Sequence, residues 1–267
     1  MGSERHPLSR RAPLIKTMRI EYRAGGYSFL KGISPYSGGV VAAPGFEIEH
    51  VRLARPLPVE HGFQRIESYL ASLHRRRQAL CGIELRSPRP FTFRGFQDFN
   101  QQYVSILKRW GILLDGLNPV ARTNVAPEVA APPEPSLYAF SITLPSENGP
   151  LSFVVAGAGE LPEGSLDPHD VVRRGEASAD ALREKVRFVM ERMSSRLTGL
   201  GVSWAQVTAT QIYTVHDIHP FLATEVLGEM HDAARTGVNW HYARPPIESI
   251  EYEMDVRGCR REVILAA

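Results

Sequence analysis

Arg122 is the one cation in the run Asn118–Val125, which reads N-P-V-A-R-T-N-V. Pro119 before it and Pro127 after it keep the segment extended. A guanidinium on a short strand is a rigid fork that can grip a planar carboxylate through two parallel hydrogen bonds. Two readings stand open: a fork for a substrate carboxylate, or the partner of a structural Asp or Glu. His216, Asp217 and His219 form the other cluster with chemistry in it. They fall in a loop before a helix, with neither a further ligand nor supporting residues in the pattern, so no metal is expected. No Gly-x-Gly-x-x-Gly, P-loop or Gly-x-Ser-x-Gly run occurs, so no dissociable cofactor is expected.

The whole chain narrows the class of function. Its 267 residues suit one or two domains, and 43% hydrophobic with 22% charged residues is ordinary for a globular protein. A net charge of +2 leaves no electrostatic footprint for nucleic acid, and Arg75-Arg76-Arg77 reads as a solvated helix end. Cys81 and Cys259 are far apart, which fits a reducing compartment rather than a disulfide framework. No apolar run reaches the ~20 residues of a membrane span, and residues 1–17 read as a floppy polar leader, so a cytoplasmic protein without membrane partners is expected.

The elements that must position Arg122 follow from periodicity. Strands are expected at 27–33 and 40–42, joined by a Ser-Gly-Gly turn, then a connecting segment over 45–58. Phe63, Ile66, Leu70 and Leu73 mark a helix, and 80–85 a buried strand. A second helix begins near Phe96, with Phe99, Tyr103, Ile106, Leu107 and Trp110 inward. The Arg122 strand and a strand at 137–144 close the first half. The second half repeats the order: strand 151–156, helix 178–197, strand 207–215, a helix from Pro220, and strands 238–243 and 250–256. In the last of these Ile250, Tyr252, Met254 and Val256 alternate with Glu251, Glu253 and Asp255. The expected fold is α+β, a tandem duplication with domains at 18–145 and 151–267.

This order, with these motifs, resembles the Rid family of enamine/imine deaminases, once per half. P-V-A-R-T-N-V is similar to the family's P-A-R-(S/T)-x-V segment, whose arginine binds the substrate carboxylate. The resemblance implies that role for Arg122 and a backbone contact at Asn124. Gly95–Tyr103 resembles the family helix D-F-x-x-x-N-x-x-Y and implies Asn100 and Tyr103 as substrate-binding. Phe29–Gly32 resembles (F/I)-x-S-G with Lys31 in place of serine, and Tyr22 matches the tyrosine that closes the pocket. Ile250–Glu253 resembles I-E-I-E, which implies Glu251 as the acid/base that handles water or a proton. The first half keeps the arginine without the glutamate, and the second keeps the glutamate without the arginine. Drift after duplication and a composite Arg122–Glu251 site both account for that split.

The resemblance implies two tandem Rid-like (chorismate-mutase-like) domains, each a mixed β-sheet backed by two helices, in a homotrimer. It implies cofactor-free hydrolytic deamination of a small carboxylated enamine or imine, 2-aminoacrylate-like or 2-aminomuconate-like, with release of ammonia. Two other outcomes stand beside it. A chorismatase-like enzyme on the same fold would use Lys31 or Arg86 as a second cation. A non-catalytic oligomer would only bind small carboxylates, because a fold match does not establish activity.

Overall fold

The computed structural model describes residues 18–147, 149 and 151–266, so the 1–17 leader lies outside the described residues. Short antiparallel strands β1 (Arg19–Tyr22), β2 (Tyr27–Leu30) and β3 (Gly39–Ala42) lead into a long strand, β4 (Phe46–Pro58). Helix α1 (Val59–Ser72), β5 (Leu80–Arg86), α2 (Phe93–Arg109), β6 (Ala121–Pro127) and β7 (Ser136–Pro145) follow. The rest comprises β8 (Phe153–Gly159), α3 (Ala179–Leu200), β9 (Ala209–Tyr213), β10 (Asn239–His241), β11 (Ala243–Arg244), β12 (Glu253–Gly258) and β13 (Arg261–Leu265).

The strands form a seven-stranded sheet, ordered β1-β2-β3-β8-β12-β9-β10, and a six-stranded sheet, ordered β11-β6-β5-β7-β4-β13. Each sheet draws strands from both sides of the expected 145–151 boundary. This overturns the expected tandem of Rid-like domains with a sheet apiece. β1–β3 join the second half's sheet through the β3–β8 pair, and β13 runs parallel to β4 in the first half's sheet. Alternation in sequence fixes which side chains share a face, but partner choice depends on register against distant segments. That choice was invisible in the element order.

Three apolar layers hold the sheets. Phe63, Ile66 and Leu70 of α1 and Tyr103 and Leu107 of α2 cover one face of the six-stranded sheet, packing on Val51, Ile83, Leu85 and Phe140. Val186, Val189, Met193 and Leu197 of α3 cover one face of the other sheet, on Phe153, Val155, Met254 and Val256. Between the sheets, Tyr27, Phe29, Val40, Ala42 and Ala156 meet Ile48, Cys81 and Ala121. The molecule is therefore layered helix, sheet, sheet, helix.

The segments expected to be helical end as their caps dictate. The Thr92 hydroxyl accepts from the Gly95 amide at 3.0 Å to start α2. Ser178 starts α3, and Gly201 ends it with φ 77°. The helix expected from Pro220 is instead a broken run of short turns with a π-helical piece at Leu222–Leu227. His231 interrupts it with φ 50°, which no regular helix tolerates. The second half therefore has one long helix, not two. No helix among the described residues is long and apolar enough to cross a membrane.

Candidate functional site

Helix α2 positions the first group of residues. Phe96, Asn100, Tyr103 and Leu107 recur at helical spacing and share its inward face. Opposite them, β6 alternates: Ala121, Thr123 and Val125 turn toward the other sheet, so Arg122 and Asn124 turn toward α2. Arg122 is 3% exposed. One nitrogen, Nη2, donates to Asn100 Oδ1 at 2.8 Å. The guanidinium lies within 4.8–5.8 Å of the ring centroids of Tyr36, Phe96, Phe99 and Tyr103. Aromatic faces stabilise a cation without neutralising it.

Four buried polar atoms in this cluster find no hydrogen-bond partner within the protein: Arg122 Nη1, Asn100 Nδ2, Tyr103 Oη and Asn124 Nδ2. Buried polar groups are nearly always satisfied, so so many unpartnered donors in one place call for an outside acceptor. All four can donate, and the two amides and the guanidinium suit a carboxylate. No acid pairs directly with Arg122 among the described residues. Burial holds its pKa below the usual guanidinium range, with Tyr103, Tyr36 and Glu253 opposing that shift.

A cavity of about 60 Å³ opens beside Arg122, lined also by Tyr36, Asn124, Gly157, Glu163, Arg196, Ile250 and Glu253. On the same measure one water needs about 10–15 Å³. It joins the two halves: Arg122 comes from β6, Glu253 from the start of β12 and Arg196 from α3. In β12 the apolar Met254 and Val256 face α3, so Glu253, Asp255 and Arg257 face the other sheet. A Cβ added at Gly157 would collide with Glu253 Oε1, so only glycine leaves room for that carboxyl on β8.

Burial and the like charge of Asp255 raise the Glu253 carboxyl well above the usual range, against the pull of Arg122 and Arg196. A carboxyl whose burial favours its neutral form thus lines the same cavity as a guanidinium with no acid partner among the described residues. Behind it, burial and Glu84 push Asp255 up to about 7, and Tyr213 Oη donates to Asp255 Oδ2 at 2.8 Å.

The residues named from sequence divide into two groups. Arg122, Asn124, Asn100 and Tyr103 are brought together. Glu251 is not with them: it precedes β12, and its Oε2 lies 2.7 Å from His216 Nε2. Lys31 is exposed just after β2 and does not line the cavity, and Tyr22 packs edge-to-face on Tyr27 between the sheets. Arg86 is buried over the Tyr138 ring, 3.6 Å from Glu84. His219 Nδ1 meets Asp217 Oδ1 at 2.8 Å. Sequence reasoning missed Glu253, Arg196, Glu163 and Tyr36. A signal for Arg196 existed: it interrupts the apolar row Met193, Leu197, Leu200 on the inward face of α3.

Over residues 19–263 the chain matches the family model described as 2-aminomuconate deaminase CnbZ. It is 45% identical over 249 residues to the 2-amino-5-chloromuconate deaminase of Comamonas testosteroni, covering 92% of this chain and 98% of that protein. Two solved structures resemble it loosely. A chorismatase has TM-score 0.43 and 10% identity, over 87% of this chain and 77% of that one. A cyanuric acid hydrolase has TM-score 0.40 and 8% identity, over 79% and 67%.

Proposed function

We propose, from the premise that the chain belongs to the 2-aminomuconate deaminase family, that the Arg122–Glu253 cavity hydrolyses the enamine of a 2-aminomuconate-like substrate. As a member of that family the protein is an enzyme, a deaminase acting on a C–N bond. The observation that carries the site is the set of unpartnered donors around Arg122, which matches one carboxylate. Arg122 and Asn100 hold the carboxylate next to the amino-bearing carbon and fix its plane, which removes much of the entropic part of the barrier.

Glu253 enters the reaction as the neutral acid. It gives its proton to the enamine carbon, and the C–N bond becomes an iminium. The resulting Glu253 carboxylate takes a proton from water as the oxygen bonds to the iminium carbon. The carbinolamine nitrogen then takes a proton from Glu253 and leaves as ammonia while the hydroxyl proton returns to the Glu253 carboxylate, so a 2-oxo acid remains and the neutral acid is restored. Enamine plus water gives 2-oxo acid plus ammonia, with no redox change. The iminium that forms beside the carboxylate is also stabilised by the carboxylate that Glu253 has become.

The test is direct. Freshly generated 2-aminomuconate is mixed with the protein, and loss of its conjugated absorbance is followed alongside ammonia by a coupled dehydrogenase assay. One ammonia per substrate consumed, faster than the uncatalysed decay, is expected. Decay at the uncatalysed rate, or loss of absorbance without ammonia, sinks the reading.

A further inference from the structure

A second arginine faces the same cavity, and it already holds a carboxylate. Arg196 Nη1 donates to the Ala156 carbonyl at 2.8 Å, which fixes the plane of the guanidinium. Its other edge, Nε and Nη2, forms a two-pronged grip on Glu163 at 2.9–3.1 Å. Arg192 stands 3.7 Å from the same carboxylate. This is the geometry by which an arginine binds any planar carboxylate. Against its burial, Arg196 and Arg192 hold Glu163 below the usual carboxylate range.

Glu163 is not part of a strand or helix. It sits at the tip of a turn over Pro162–Ser165, closed by the Ser165 amide donating to the Pro162 carbonyl at 3.1 Å. Gly164 follows it with φ 83°, as the third position of a type II turn requires. A Cβ on Gly164 would meet only Ile33, at 3.9 Å, so little packs against the tip. Tyr36 lies in the same cavity as Arg122, Arg196, Glu163 and Glu253; burial raises its phenol pKa, and the two arginines oppose that shift. Both guanidiniums thus line one cavity, with Tyr36 beside Arg122.

We infer that Arg196, with Arg192 beside it, receives the second carboxylate of a dicarboxylic substrate, and that Glu163 fills that place in the free protein as an internal stand-in. This rests on the reading of Arg122 as the anchor of the first carboxylate. An incoming dicarboxylate displaces the Glu163 side chain by movement of the Pro162–Ser165 turn. Substrates with one carboxylate leave Glu163 where it is. Discrimination for dicarboxylates then comes from exchanging one carboxylate for another in the same grip, and Glu163 keeps Arg196 from standing buried and unpaired meanwhile.

Two stable probes separate the parts of this idea: trans,trans-muconate, with a carboxylate at each end of a diene, and sorbate, with a methyl group at one end. Affinities are measured by calorimetry on the full chain, for the parent protein and for Glu163→Ala, Glu163→Gln and Arg122→Met. With the competitor removed, Glu163→Ala is expected to bind muconate about tenfold tighter, with sorbate changed by less than about twofold. Glu163→Gln keeps the side-chain volume and gives the same direction if the alanine variant does not fold. Unchanged or weaker muconate binding in the folded Glu163 variants overturns the inference and leaves the Arg122 reading intact. Sorbate binding that survives Arg122→Met overturns the Arg122 reading and the inference with it. Failure of both probes to bind the parent protein overturns both as well.

Discussion

Replacing Arg122 with Met is the most informative single change, because the two readings of that arginine predict opposite results. The side chain is 3% exposed and makes one side-chain hydrogen bond, to Asn100. Among the described residues it has no ion-pair partner to leave behind, so the penalty of about 3–5 kcal/mol for breaking a buried ion pair does not apply. Removing a buried, unneutralised charge is favourable. Losing its contact with four rings is unfavourable by about 0.5–2 kcal/mol apiece at most. The two effects oppose each other, and a kcal/mol of net change moves Tm by about 2–4 °C in a chain of this size. The expected Tm change is therefore within about 5 °C. Catalysis responds differently. Two charge-assisted hydrogen bonds to a carboxylate contribute about 1.5–3 kcal/mol each, so kcat/KM should fall by about 10²–10⁴. Arg122→Lys keeps the charge but not the fork, and should recover only part of that loss. Deaminase activity per folded molecule is measured beside thermal melting. A variant that melts far below the parent, yet turns over normally when folded, would refute the substrate-anchor reading.

Glu253→Gln should lower kcat by about 10²–10⁴ while Glu251→Gln stays within a few-fold of the parent; equal losses in both would remove Glu253 from its role. Because the folded-state pKa of Glu253 is raised, its contribution favours the fold below the usual carboxylate range and is lost as pH rises through the shifted value. Glu253→Gln should therefore flatten the fall in Tm on the alkaline side, read by melting across pH; an unaltered profile argues against a buried neutral acid. Gly157→Ala should displace the Glu253 carboxyl, lowering kcat more than it raises KM and destabilising by about 1–3 kcal/mol, by denaturant titration; full activity would show that the carboxyl has room to spare. Lys185→Met should destabilise by about 3–5 kcal/mol, since it strands Glu160, which is 2.9 Å from Lys185 and wholly buried. A melting curve like the parent's would contradict that.

Short-range spacing made α1, α2 and α3 legible, whereas the helix expected from Pro220 proved to be a broken run of turns. Asn100 and Tyr103, named as substrate-binding only through the family resemblance, lie beside Arg122 in the fold. The choice between Glu251 and Glu253 was not legible in the same way. Both alternate with Tyr252 and Met254 and belong to one phase. Only the start of β12 at Glu253, after the Ser249 residue with φ 72°, excludes Glu251 from the sheet. The strand β4 passed for a connection because Glu47, Glu49, His50 and Arg52 look like a solvated segment. In the fold Glu49 accepts from Tyr69 at 2.7 Å and pairs with Arg261 at 3.0 Å. Partners so remote in sequence leave no local trace, and neither does the pairing of Arg196 with Glu163.

The pairing of β13 with β4 has a consequence for how the molecule assembles. Arg261 and Glu49 bond across 212 residues of chain. Contacts of that separation form late, because the loop must close before they return any free energy. During synthesis β4 emerges early and presents an open edge until residues 261–265 exist to run alongside it. A nascent chain stalled in between carries bare strand edges on both sheets, the condition that recruits other chains. Expression at low temperature or with chaperones should raise the soluble yield. Fragments cut at 145–151 should aggregate when made separately and recover only when refolded together.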